Sequence, residues 1–227
     1  MGGYYRDNLS AIRLRQCYEI APPRVKQYLE ANIAHVQDKI TPHDIILELG
    51  CGYGRILKKL ALKVRRVIGI DTSLSSLLFG QEILRSAPNC YLINMNAVQL
   101  AFRDCFFDCV ICIQNGISAF HVNNKDLIKE SIRVTKPGGK ILFSSYSDKF
   151  WEYRLEWFKL QSEAGLLGKI NAEKAREGII ECDDGFEAST IYPEQFLSLT
   201  AELDVDTKIV EVDDSSLFCE ITPRPKP

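Results

Sequence analysis

Three features of this sequence predict an α/β fold built on a mostly parallel sheet. Short runs of apolar, often β-branched residues alternate with segments whose apolar residues recur at helical spacing. A glycine-rich turn stands between the first such strand and the helix that follows it. The length of 227 residues, 46% of them hydrophobic and 26% charged, suits one α/β domain with a modest elaboration and a real core. Strands that alternate with helices form βαβ units with right-handed crossovers.

The elements follow in order. From Pro22 onward, Val25, Leu29, Ile33, Val36 and Ile40 recur at helical spacing, and Pro22 and Pro23 suit a helix start, where a missing N–H costs little. Thr41-Pro42-His43-Asp44 breaks that pattern, and 45–49 reads as a short buried strand. After the glycine turn, Ile56, Leu57 and Leu60 begin a second helix. Residues 66–70 form the second strand and a helix runs over about 73–85. The third strand is 91–93 and the fourth 107–113. A helix over 126–134, a turn at Lys136-Pro137-Gly138-Gly139 and a fifth strand at 140–145 come next. The last third changes character. Residues 148–164 are aromatic and helical in pattern, with strands near 178–182 and 186–191 and a helix over 193–203. Two further strands, 207–212 and 216–222, flank a hairpin turn at Asp213-Asp214-Ser215, and 223–227 reads as a frayed tail. No internal repeat or low-complexity linker interrupts the chain, which predicts a single domain over 1–227.

Composition excludes several functions. The 28 Lys and Arg stand against 30 Asp and Glu, so bulk charge does not draw the chain to polyanions. No apolar run approaches the roughly 20 residues of a membrane span. The polar N-terminus is no signal or transit sequence, and Arg6 stands where a myristoylation motif wants Ser or Thr. The eight cysteines are scattered, several within apolar runs, as reduced thiols of a cytoplasmic protein would be. Cys109 and Cys112 sit three apart on a strand and point to opposite faces, so they cannot grip one ion, and no metal site is expected. Residues 55–66 carry six basic side chains and no acid. They read as a solvated helix face, or as a polyanion patch that lacks an aromatic ring to stack a base.

The turn itself reads Leu49-Gly50-Cys51-Gly52-Tyr53-Gly54-Arg55. A dinucleotide fingerprint needs Gly or Ala where Arg55 stands, and a phosphate-binding Walker loop needs Gly-Lys-Ser/Thr. What remains is G-x-G-x-G preceded by Glu48, with Asp71 placed 21 residues after Gly50 at the end of the second strand. A carboxylate there can accept hydrogen bonds from both ribose hydroxyls. With Asn96-Ala97-Val98-Gln99-Leu100-Ala101-Phe102, the fourth strand and the Lys136-Pro137-Gly138-Gly139-Lys140 turn, this pattern resembles the class I S-adenosylmethionine-dependent methyltransferases over about 42–147.

The resemblance implies a Rossmann-like, doubly wound, seven-stranded sheet with an antiparallel last strand. It further implies S-adenosyl-L-methionine as cofactor, S-adenosyl-L-homocysteine as product and in-line methyl transfer to an acceptor. Residues 42–147 would be the cofactor core, 1–41 a helical lid and 148–206 a substrate-recognition elaboration. Gly50, Cys51, Gly52 and Gly54 would pass the methionine and ribose, with Glu48 before them and Asp71 and Thr72 at the ribose. Asn96, where the family usually has Asp, and Ala97 would border the adenine. Gln114 would approach the sulfonium, and Tyr5 would fold over the cofactor.

Gln114-Asn115 could orient a nucleophile by hydrogen bonding, or simply cap a helix. His121, in the same loop region, is a candidate general base, since an imidazole can take a proton near neutral pH. Tyr146, Trp151 and Arg154 lie where the family inserts acceptor-binding elements. A small-molecule acceptor and a monomer or homodimer are expected. An RNA methyltransferase working through 55–66 and a cofactor-binding protein without turnover are the alternatives.

Overall fold

The structure, a computed structural model, describes residues 3–171, 175 and 178–225. Its elements are α1 (Tyr4–Asp7), α2 (Ala11–Glu19), α3 (Pro23–Gln37), β1 (Ile45–Leu49), α4 (Arg55–Leu60), β2 (Arg66–Asp71), α5 (Leu74–Ile83) and β3 (Cys90–Asn94). They continue as β4 (Phe107–Cys112), α6 (Gly116–Ala119), α7 (Asn124–Val134), β5 (Thr135–Tyr146) and α8 (Trp151–Glu163). The chain closes with β6 (Ile179–Glu181), β7 (Glu187–Ser189), α9 (Pro193–Thr200), β8 (Val205–Val212) and β9 (Ser216–Pro223).

Seven strands form one sheet in the order β3-β2-β1-β4-β5-β9-β8. β9 runs antiparallel to both β5 and β8, and the other six strands are parallel. Strand order reverses between β1 and β4, and ligands of open α/β sheets bind in the crevice beyond the strand ends at such a point.

The period of two along each strand sorts side chains between two cores. Leu47, Ile70, Val110 and Phe143 point to the face covered by α7 and α9. Ile46, Val67, Cys109 and Leu142 point to the face covered by α3, α4 and α5. Cys109 and Cys112 accordingly lie in different cores. A third cluster joins Leu9 and Cys17 of the N-terminal segment to Tyr28 of α3, Phe150, Trp157 and Phe158 near α8, and Phe186 of the small β6–β7 hairpin. Each such large apolar side chain, fully buried, contributes roughly 1.5–3 kcal/mol.

Several boundaries differ from the sequence reading. Two short helices precede α3 where the sequence resolved none, because neither carries a long apolar stripe of its own. β5 begins at Thr135, not at 140: Thr135 pairs with Phe107, Lys140 pairs with Cys109, and Lys136-Pro137-Gly138-Gly139 bulges out between them. The helix expected over 193–203 ends at Thr200, and the one expected to reach residue 85 ends at Ile83. The terminal segment is pinned further than a frayed tail would be. Arg224 donates to Asp206 at 2.7 Å, while residues 226–227 lie outside the described residues.

Two polar devices lock α3 to the sheet. Arg24 and Gln27 both donate to the Asp213 carboxylate at 2.6 Å, in a hairpin turn whose Asp213 and Asp214 are left-handed. Fully buried Asn32 donates to Tyr28 O and Ser216 Oγ and accepts from Ser144 Oγ.

Candidate functional site

At the end of β1 the chain turns through Gly50 at φ +70°, a conformation that disfavours residues with a Cβ. A Cβ there would meet the Phe120 ring at 2.4 Å. The Cys51 N–H then donates to Ile70 O at 2.9 Å, which ties the turn to β2. Gly52 presents its N–H to Asp71 Oδ2 at 2.8 Å, and Ser73 presents its own to Oδ1 at 2.8 Å. Gly54, left-handed at φ +79°, caps the start of α4. The Asp71 carboxyl is raised by burial and held back by the backbone N–H groups of Ser73, Gly52 and Thr72. Two oxygens with one fixed donor each retain acceptor capacity for a vicinal diol.

Glu48 lies just before this loop and is 4% exposed, with Oε2 lacking any partner. Burial pushes its carboxyl up to about 8, with the Arg55 charge opposing the rise and Asp71 adding to it. Arg55 turns back from α4 to stack on Tyr18, 4.2 Å from the ring centre, and donates to Gln114 Oε1. Its Nε is buried without a partner.

Gln114 and Asn115 follow β4 in left-handed conformations at φ +57° and +65°, which store strain typical of functional turns. The Gln114 N–H donates to Ser144 Oγ at 2.7 Å and its side chain to Leu29 O at 3.0 Å. Asn115 donates to Ser189 O at 3.0 Å and accepts from Ser145 Oγ at 2.8 Å, so its amide is engaged with the sheet and the β6–β7 hairpin. On the other flank, Asn96 is exposed and uses its carbonyl to accept from Val98 N–H at 3.1 Å, while Ala97 is buried. Thr72 is exposed, and the Cys51 thiol is buried and raised well above its ordinary range.

Beyond Gln114 opens a narrow cavity lined by aromatic residues: Tyr5, Tyr18, Tyr28, Tyr146, Trp157 and Phe158, with the Gln114 and Gln161 amides. The N-terminal segment roofs it. Ala11 N–H donates to Ser76 Oγ, Trp157 Nε1 to Cys17 O, and Arg13 to the carbonyls of Gly165 and Leu166. Tyr146 lines the cavity, whereas Trp151 and Arg154 lie behind its wall. Arg154 is fully buried, with its guanidinium 4.2 Å from the Tyr146 ring centre and 5.8 Å from that of Trp151. It donates to Thr190 Oγ1, Gly178 O and Ala188 O. His121 stands apart, exposed in a left-handed turn between α6 and α7, and is not among the lining residues.

Sequence reasoning missed Tyr28, hidden within the apolar stripe of α3, and the inward turn of Arg55, which sequence alone groups with the basic run. Elsewhere in that run Lys59 pairs with Glu30 and Arg66 lies over Tyr91.

Residues 46–139 match the methyltransferase domain family. A ubiquinone/menaquinone biosynthesis C-methyltransferase of Vibrio cholerae is 29% identical over 181 residues, covering 66% of this chain and 67% of that protein. The match identifies residues 46–139 as a methyltransferase domain, the same stretch by which the chain resembles the class I S-adenosylmethionine-dependent methyltransferases.

A malonyl-[acyl-carrier protein] O-methyltransferase of a Marinomonas species is 31% identical over 157 residues, 66% of this chain but 56% of that protein. The DhpI–SAH complex shares the fold, with a TM-score of 0.65 at 18% identity over 99% of this chain and 98% of DhpI. With this domain the protein is a methyltransferase enzyme whose cofactor is S-adenosylmethionine. The orphaned Glu48 and Arg55 atoms fit that molecule, since its methionine end carries both an ammonium and a carboxylate. Among the described residues, no three His, Cys, Asp or Glu side chains cluster as metal ligands do, and no helix is long and apolar enough to cross a membrane.

Proposed function

We propose that this methyltransferase transfers a methyl group to a small molecule held in the aromatic cavity beside Gln114. The observation that carries this reading is the aromatic lining itself, drawn from α2, α3, β5 and α8 beside Gln114. Asp71 takes the ribose hydroxyls and Asn96 and Ala97 border the adenine. Gly50, Cys51, Gly52 and Gly54 let the methionine and ribose approach the main chain, and Thr72 flanks them. Glu48 holds the ammonium. Gln114, fixed by Ser144 and Leu29, orients the reacting ends.

S-adenosylmethionine supplies a methyl group already activated on a cationic sulfur. The protein's work is therefore positioning and water exclusion, which together are worth several kcal/mol. Asn115 acts by fixing the Gln114 turn against Ser145 and Ser189. Tyr5 and Tyr146 shape the acceptor space, with Trp151 and Arg154 supporting it from behind. The relatives named for C- and O-methylation of small or carrier-bound acceptors favour the same class. Arg55 turned inward, Lys59 paired to Glu30 and Arg66 set over Tyr91 weaken an RNA-binding patch at 55–66, and eight unpaired thiols favour a cytoplasmic setting.

Incubation with methyl-labelled S-adenosylmethionine and separate metabolite and RNA fractions tests this. Label should enter the metabolite fraction. Label in RNA with steep salt dependence, or S-adenosylhomocysteine affinity without any transfer, would overturn the reading.

A further inference from the structure

We propose that the methyl acceptor is a carboxylate monoanion and that the product is its methyl ester. This rests on the methyltransferase reading above and adds the chemical class of the acceptor. Among the described residues, the polar side chains facing the cavity are the tyrosines Tyr5, Tyr18, Tyr28 and Tyr146 and the amides Gln114 and Gln161. No Asp, Glu, His or Lys among the described residues lines it. Burial raises all four tyrosines, Tyr5 and Tyr28 farthest, and pushes the lining Cys17 thiol up to about 12. Nothing in the wall can accept a proton near neutrality, so the nucleophile must arrive already deprotonated. A carboxylic acid does so, whereas an alkylammonium, a phenol or an alcohol does not.

The charges agree with this chemistry. Arg154 is fully buried directly behind Tyr146, and among the described residues its partners are two carbonyls, one hydroxyl and aromatic faces, with no carboxylate. Its Nε has no partner at all. An isolated buried cation is costly, and a single negative charge nearby relieves it. The buried Tyr28 hydroxyl, in the cavity wall, has the Tyr146 hydroxyl as its neighbour, and the pair can offer a donor to an anionic oxygen.

The step balances without proton transfer. A carboxylate oxygen forms the new O–CH3 bond as the C–S bond breaks, and the electron pair of that bond stays on sulfur. The acceptor's negative charge and the sulfonium's positive charge cancel, leaving a neutral ester and a neutral thioether.

To test this, a cell extract is split by ion exchange into anionic, cationic and neutral small-molecule fractions, each incubated with methyl-tritiated S-adenosylmethionine and then treated with mild base. The expected result is label in the anionic fraction alone, released by base as volatile methanol. Occupancy is read without turnover from quenching of the lining Trp157 when the anionic fraction meets enzyme saturated with S-adenosylhomocysteine. Tyr28→Phe should keep its S-adenosylhomocysteine affinity and raise the acceptor KM at least tenfold. Arg154→Lys should keep more acceptor binding than Arg154→Gln, which shows the charge effect even if the Gln variant folds poorly. Base-stable label, including a phosphoryl ester, or label confined to the cationic or neutral fraction overturns the proposal. No label in any fraction, despite S-adenosylhomocysteine binding, overturns the methyltransferase reading and the acceptor assignment with it.

Discussion

Replacing Glu48 by Gln should make the protein more stable, and only above mildly acidic pH. The native carboxyl is buried with one oxygen unpartnered, and burial raises it from 4.5 to about 8. Below pH 4.5 the group is neutral in both folded and unfolded chains and costs nothing. Between 4.5 and about 8 the unfolded chain releases its proton while the folded one keeps it, so stability falls as pH rises. Above about 8 the loss is complete. At about 1.4 kcal/mol per unit, a rise of this size corresponds to roughly 3–5 kcal/mol. Glutamine is isosteric and does not titrate, so Glu48→Gln removes that loss. Urea denaturation midpoints of both proteins at pH 4.5, 6, 7.5 and 9 give the measurement, because the other titrating groups cancel in the difference. The gap should be under about 1 kcal/mol at pH 4.5 and several kcal/mol in the variant's favour at pH 9. A gap that stays constant across this range would refute the burial argument.

Other outcomes follow from the same geometry. Gly50→Ala puts a Cβ 2.4 Å from Phe120 at φ +70°, and should lower thermal stability by about 2 kcal/mol and weaken S-adenosylhomocysteine binding at least tenfold in calorimetry. Asn32→Leu severs the buried chain from Ser216 through Ser144 to the Gln114 N–H, and should cost roughly 2–4 kcal/mol in chemical denaturation. Cys105 is the exposed thiol among eight, so a native protein titrated with a disulfide reagent should react rapidly at one site per chain, rising to eight on unfolding.

The half of the fold around the glycine turn was legible because its signals are local. Strand periodicity, the glycine turn and an acid at the end of the second strand are each encoded within a few residues, and β1, β2 and β4 fall where those signals put them. The bulge at Lys136-Pro137-Gly138-Gly139 was legible as a turn but not as part of a strand, since pairing of Thr135 with Phe107 is a tertiary fact. The cavity was the least legible part. Its wall is drawn from α2, α3, β5 and α8, far apart in sequence, and Tyr28 looks like any other residue of a helix core face. Arg154 could be noticed among aromatics, but its bonds to Thr190, Gly178 and Ala188 exist only in three dimensions. Nor does sequence spacing reveal that Asn115 spends both amide groups on structural bonds or that His121 faces solvent.

The central claim is that Asp71 and the loop it anchors hold the cofactor's ribose. Isothermal titration of S-adenosylhomocysteine into the wild type and Asp71→Ala, with melting curves to confirm that both are folded, tests it most directly. Losing two hydrogen bonds to a charged acceptor, at about 1.5–3 kcal/mol each, predicts at least a hundredfold weaker binding in the variant. Equal affinity in two folded proteins would contradict it.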